Sequence, residues 1–198
     1  MRVGSRARQT KETTIDVRVD LDGGGMVEVG TGLPFFDHMI GQLGKHAGWD
    51  LRVKADGDLH VDAHHTVEDV GIALGEALRD ALGDKAGVRR FASVAVPLDE
   101  ALIEVAVDLS GRPFLVYEVD PGAGGEARPL GTPGFDPQLA EEFWRAFTTA
   151  SAMTLHLRMR SGRNTHHILE ASFKGVARAL RDAVRIEGTG VPSTKGVL

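Results

Sequence analysis

Asp62-Ala63-His64-His65-Thr66-Val67-Glu68-Asp69 is answered about a hundred residues later by Asn164-Thr165-His166-His167-Ile168-Leu169-Glu170-Ala171. Each copy is a His-His-x-x-Glu cluster, and each opens a stretch with helical periodicity. In the first, Val67, Val70, Ala73, Leu74, Ala77, Leu78 and Ala81 fall on one face. The likeness spreads beyond the clusters. Asp37-His38 aligns with Glu141-Glu142, Trp49-Asp50-Leu51-Arg52-Val53 with Met153-Thr154-Leu155-His156-Leu157, and Ala77-Leu78-Arg79-Asp80-Ala81 with Ala179-Leu180-Arg181-Asp182-Ala183. A duplicated unit constrains the fold strongly, because one architecture has to suit both halves.

The order of elements supports the duplication. Residues 1–20 read as two strands, the second (Thr13, Ile15, Val17, Val19) alternating at period two, with Glu12 as a strand carboxylate on its polar side. Asp22-Gly23-Gly24-Gly25 reads as a hairpin turn and Met26 to Val29 as its return strand. A helix is predicted from Leu33 to Ala47, with Pro34 and Asp37 near its start and Gly48 as its stop. A strand from Trp49 and a helix from His64 to Leu82, ended by Gly83, complete the half. The second half gives strands around Phe91–Val96, Ala101–Leu109 and Phe114–Val119, then a Gly/Pro-rich loop from Pro121 to Pro137. Helices are predicted over 139–150 and 166–184, flanking a strand over 153–158, with an irregular tail from Gly188. The fold class is therefore α+β: a duplicated βββαβα unit, two-layer sheet and helices, with pseudo-two-fold symmetry. Residues 1–87 and 88–198, the second with the C-terminal tail, are the two repeats of a single domain spanning 1–198, each too short to stand as an independent domain.

Composition narrows the function. The net charge is -5 and no basic run exceeds two residues, which argues against nucleic acid as a partner. There is no cysteine, so thiolate metal sites, disulfides and thiol nucleophiles are excluded. No apolar signal core opens the chain and no segment approaches membrane-spanning length, so the expectation is a cytoplasmic protein with no membrane partner.

On a helix, residues four apart share a face, so His64 with Glu68, and His166 with Glu170, can each chelate one ion. His65 and His167 point about 100° away and can serve a second ion. A single His-His pair is usually a solvated helix start; two copies at equivalent places of a duplicated fold point to two metal ions. Imidazole and carboxylate suit Mn, Fe, Zn, Ni or Co, and six-coordinate Mn(II) fits the hard carboxylates. His38 and its repeat counterpart Glu142 add two residues able to ligate. Arg90, and Arg112 in a Gly-Arg-Pro turn, could grip an anion such as phosphate. Ser193 and Lys195 lie in the tail, where they would be ordinary in a frayed terminus.

Phe35 to Met39, Asp62 to Asp69, Pro97 to Ala101, Asp108 to Pro113, Asn164 to His167 and Pro192 to Gly196 together resemble the imidazoleglycerol-phosphate dehydratase family of histidine biosynthesis, nearly end to end. The resemblance implies a duplicated fold like ribosomal S5 domain 2. It implies a homo-oligomer of 24 subunits, with active sites between subunits and two Mn(II) ions per site. His38, His64, His65, Glu68, His166, His167 and Glu170 match metal ligands. Glu142 stands where members of the family commonly have histidine; its carboxylate, or a water, would take the ligand role. Glu12, His46, Arg90, Arg112, Ser193 and Lys195 match substrate contacts, and His38, His64, His166 and Lys174 border the same site.

The implied reaction removes water from imidazole glycerol phosphate to give imidazole acetol phosphate. The proton lost is not acidic by itself. A substrate imidazolate held by two metals would delocalise charge and help expel the hydroxyl. Glu12, His46 and Glu170 are the candidate catalytic residues, with acid and base roles open between Glu12 and His46. Arg90, Arg112, Ser193 and Lys195 would anchor the phosphate. Two alternatives share parts of the pattern: a dinuclear metallohydrolase of a small phosphorylated metabolite, and a nucleic-acid-binding S5-like module with structural histidines.

Overall fold

The computed structural model describes residues 1–196 and 198. The first half runs β1 (Val3–Gln9), β2 (Thr13–Asp20), β3 (Val27–Gly30), α1 (Pro34–Ala47), β4 (Asp50–Gly57) and α2 (His64–Leu82). The second runs β5 (Phe91–Leu98), β6 (Ala101–Asp108), β7 (Phe114–Glu118), α3 (Leu139–Ser151), β8 (Thr154–Ser161) and α4 (Thr165–Ala183). Each half is βββαβα, and the two sheets have matching orders, β1-β2-β4-β3 and β5-β6-β8-β7. The described part of the tail contains no helix or strand, as expected; Val197 lies outside the described residues.

Two local expectations are corrected. The Asp22–Gly25 segment is not a hairpin turn, because β3 pairs with β4, in parallel, and not with β2. Asp50, at the head of β4, accepts hydrogen bonds from the amides of Gly24 and Met26, both at 2.9 Å, and so draws the glycine run past β4. Parallel strands need a crossover, which α1 supplies. A glycine-rich turn looks the same in sequence whether its two strands are neighbours or separated by a later one. Glu12 is not in a strand either: Thr10 N–H donates to Thr13 C=O at 2.9 Å, leaving Lys11-Glu12 as a two-residue turn.

Ile15, Val17 and Val19 on β2, with Leu51 and Val53 on β4, form the buried side of the first sheet. The other side alternates Asp16, Arg18, Arg52 and Lys54 toward solvent, the period-two pattern of a half-covered sheet. Helix α2 packs on β1 and β2, and α4 on β5 and β6. The halves meet helix to helix, α1 on α4 and α2 on α3. Phe36, Phe143, Trp144, Phe147 and Phe173 are fully buried there. The Phe143 ring lies 5.4 Å from both Phe36 and Phe173. Burial of each such side chain contributes roughly 1.5–3 kcal/mol. The exchange of helix partners carries residues of one half to the cluster of the other. No helix among the described residues is long and apolar enough to cross a membrane.

Candidate active site

The first turn of α1 is set by Pro34 and by Asp37, which accepts hydrogen bonds from Thr31 N–H (2.9 Å) and Thr31 Oγ1 (2.6 Å). This start places His38, Gln42 and His46 at successive four-residue steps on one face. That face meets α4. His38 Nε2 lies 3.2 Å and His166 Nε2 2.8 Å from the same Glu170 oxygen, Oε2, while Lys174 Nζ lies 2.5 Å from Oε1. His38, His166 and Glu170 present three ligand atoms within 4.8 Å of one another. Burial pushes the Glu170 carboxyl upward, but hydrogen bonds from Lys174, His166 and His38 outweigh it and hold the group at about 2. Glu170 is thus an ionised acceptor across the ordinary pH range.

His46 continues the row. Its Nε2 is 3.1 Å from Gln42 Oε1, and Gln42 Nε2 is 3.4 Å from His38 Nδ1. Burial lowers the His46 pKa, and the positive charges of Lys174 and Arg178 lower it further. His46 is therefore neutral at pH 7 and able to accept a proton.

His65 and His167 stand apart from this group. His65 Nδ1 is 3.0 Å from Asp58 Oδ2 and 3.8 Å from Glu12 Oε2, and the hydrogen bond to Asp58 raises its pKa. His167 Nδ1 is 2.8 Å from Glu100 Oε2. That contact comes first among those holding Glu100 at about 2, followed by the amides of Asn164 and Arg163. The α4 N-terminus is capped by Asn164, whose side chain accepts from the amides of His166 and His167. His64 lines a hollow with Leu33, Leu59 and Asp136. Glu68 and Glu142 line another between α2 and α3. Glu142 also lies 3.9 Å from Arg145. The residues expected to ligate are thus divided: one chain gathers His38, His166 and Glu170, and leaves His64, His65, Glu68, Glu142 and His167 at other places on its surface.

The predicted anion residues do meet. Arg90, Arg112, Ser193 and Lys195 line one hollow formed by the β5 entry, the β6–β7 turn and the tail. Arg90 takes a left-handed backbone (φ 75°) and is fixed by Asp108, 2.7 Å from Nε, and by the Pro192 carbonyl, 2.7 Å from Nη1. Its guanidinium carbon lies 4.4 Å from the centre of the Phe91 ring. Arg112, whose Nη1 lies 3.4 Å from the Ser110 carbonyl, and Lys195 supply two further cations.

Sequence reasoning missed Gln42, Asp58, Glu100 and Asp108 as orienting groups. Gln42 had a signal, being four residues from both His38 and His46. Glu100 and Asp108 lie inside distinctive motifs but become partners only through sheet pairing. Asp58 had no signal.

The imidazoleglycerol-phosphate dehydratase family profile matches residues 31–180. The relative of that name from Parafrankia sp. (strain EAN1pec) is 56% identical over 193 residues, 96% of each chain. That from Acidiphilium cryptum (strain JF-5) is 54% identical over 200 residues, covering 100% of this chain and 99% of its own. Among solved structures, the dehydratase from Staphylococcus aureus superposes with a TM-score of 0.81 at 33% identity, over 93% of this chain and 99% of its own. The Pyrococcus furiosus structure, in complex with (S)-C348, gives 0.81 at 39% identity over 98% and 100%. The α+β fold and these relatives make the protein a lyase that eliminates water. The chain belongs to the imidazoleglycerol-phosphate dehydratase family, which acts in histidine biosynthesis. Membership sets aside the metallohydrolase and the nucleic-acid-binding module.

Proposed function

We propose that this chain dehydrates imidazole glycerol phosphate at a site holding two Mn(II) ions, completed by neighbouring subunits in a cytoplasmic homo-oligomer of 24 copies. The observation that carries the metal reading is the convergence of His38, His166 and Glu170 from two helices of different halves. The donor set fits the ion: imidazole and carboxylate, with no thiolate in the chain. The dispersal of the other ligands supports the intersubunit reading, because three donors leave a six-coordinate ion incomplete. His64, His65, Glu68, Glu142 and His167 are then offered to other copies.

Ions held by these histidines and glutamates would supply Lewis acidity toward the substrate ring. The remaining work falls to the protein. Arg90, Arg112, Ser193 and Lys195 hold the phosphate, and that binding energy positions the reacting carbons. Neutral His46 and half-exposed Glu12 exchange the protons. Lys174 keeps Glu170 ionised and borders the substrate with His38, His64 and His166.

Elemental analysis of protein purified with manganese tests the reading, together with turnover of imidazole glycerol phosphate. Close to two ions per chain are expected. His65→Ala and His167→Ala should each abolish turnover while leaving the isolated chain folded, since neither side chain is buried. Metal content near zero, or either variant near wild-type turnover at limiting manganese, would remove the two-ion mechanism.

A further inference from the structure

The two sheets each begin with a hairpin closed by a two-residue turn. In the first half the turn is Lys11-Glu12, between the Thr10 and Thr13 pair. In the second it is Asp99-Glu100, between the paired Leu98 and Ala101. Both turns end in glutamate, and each glutamate approaches the second histidine of its own half's cluster. The two contacts differ. Glu100 Oε2 is 2.8 Å from His167 Nδ1, and its Oε1 accepts from the amides of Arg163 (3.1 Å) and Asn164 (2.7 Å). Glu12 Oε2 is 3.8 Å from His65 Nδ1, outside hydrogen-bond reach, and its side chain is 52% exposed against 29% for Glu100. In the first half Asp58 makes the contact instead, at 3.0 Å, and its own amide donates to the Glu12 carbonyl at 3.1 Å. Asp58 is the first residue after β4; the first residue after β8 is Gly162, which has no side chain to do the same.

We infer that the two turn glutamates have divided their labour. Glu100 is a positioning residue that orients His167, and Asp58 does the same for His65, which frees Glu12 for substrate. A carboxylate at Nδ1 keeps the proton on that nitrogen and turns the Nε2 lone pair outward. His167 Nε2 is 3.8 Å from Asp99, beyond hydrogen-bond reach, so it is left available to a metal. The inference rests on the metal reading proposed above.

Glu100→Gln is the informative change. Its amide oxygen can still accept from Arg163 and Asn164, while its NH2 faces His167 Nδ1 and favours the proton on Nε2, the wrong tautomer for a ligand. In full-length, chelator-treated protein, Mn(II) affinity measured by competition with a chelating dye should fall about 10–100-fold. The metal-free variant should stay folded with a lowered unfolding midpoint, because Glu100 loses the charge that His167 and two amides hold ionised. Side-chain 15N shifts should move the His167 proton from Nδ1 to Nε2. Glu100→Asp should recover part of the affinity. Asp58→Asn should repeat the loss through His65, and it carries the test if Glu100→Gln does not fold. Glu12→Gln should keep wild-type affinity while losing turnover. Wild-type binding by both Glu100→Gln and Asp58→Asn, or an unmoved His167 tautomer, overturns the inference. An equal loss of affinity in Glu12→Gln overturns the division of labour. A wild-type protein that binds no manganese would instead sink the metal reading beneath it.

Discussion

Glu170 serves three donors with two oxygens, and its acidity follows from that. Its folded pKa of about 2 lies below the ordinary 4.5, so its contacts stabilise the metal-free protein fully above pH 4.5. That contribution is lost as the pH falls from 4.5 toward 2, where the folded state too takes up the proton. Urea midpoints of metal-free protein across this window should fall with pH, and Glu170→Gln should reduce the slope, leaving the share of Glu100, which is also held at about 2. An unchanged slope would show that Glu170 is not the group responsible. At this scale the sequence was partly legible. The four-residue step from His166 to Glu170 foretold their contact. The third partner, His38, lies in the other half of the chain, and no local rule brings it there.

Among the elements, α2 and α3 show how closely the halves approach. A Cβ on Gly71 would lie 2.9 Å from both the Phe143 carbonyl oxygen and the Ala146 methyl. One on Gly75 would lie 2.6 Å from the Phe147 carbonyl oxygen and 2.8 Å from Ala150 Cβ. Neither glycine has a positive φ, so their role here is space, and backbone oxygens cannot move aside as a flexible side chain can. On an exposed helix Gly→Ala would stabilise by about 1 kcal/mol. Here Gly75→Ala should destabilise, by about 1–3 kcal/mol. Urea unfolding decides it, and a gain in stability would mean that the helices can part without cost. The elements themselves were readable, because apolar spacing and capping residues mark α1, α2 and α4 to within a residue or two. The path of β3 was not, because pairing partners are chosen by the whole sheet.

For the whole molecule, the proposed sharing of ligands between copies would link metal to assembly. If one ion takes ligands from different copies, metal binding stabilises the assembled particle by mass action. Histidines ligate only when neutral, so protons compete with the ion as the pH falls. Chelator, or a pH around 5, should convert the particle to smaller species, and manganese at neutral pH should restore it. Light scattering before and after complete metal removal is the measurement. An unchanged mass would show that other contacts hold the subunits and would remove the thermodynamic case for shared ligands.

The duplication, the βββαβα order and the residue types of both clusters were determined by sequence alone, because periodicity and local spacing encode them. The meeting of Arg90 and Arg112 with Ser193 and Lys195 was expected only through family resemblance. Tertiary structure decided what depends on long-range packing. It seated α1 on α4, so that His38 reached Glu170 across the two halves. It placed Asp58 against His65 and Glu100 against His167 through strand ends and a tight turn. It tied Arg90 to Asp108 across a β5–β6 pair. Each contact joins residues whose neighbours in sequence say nothing of one another, and only the closing of sheets and helices around one core brings them within reach.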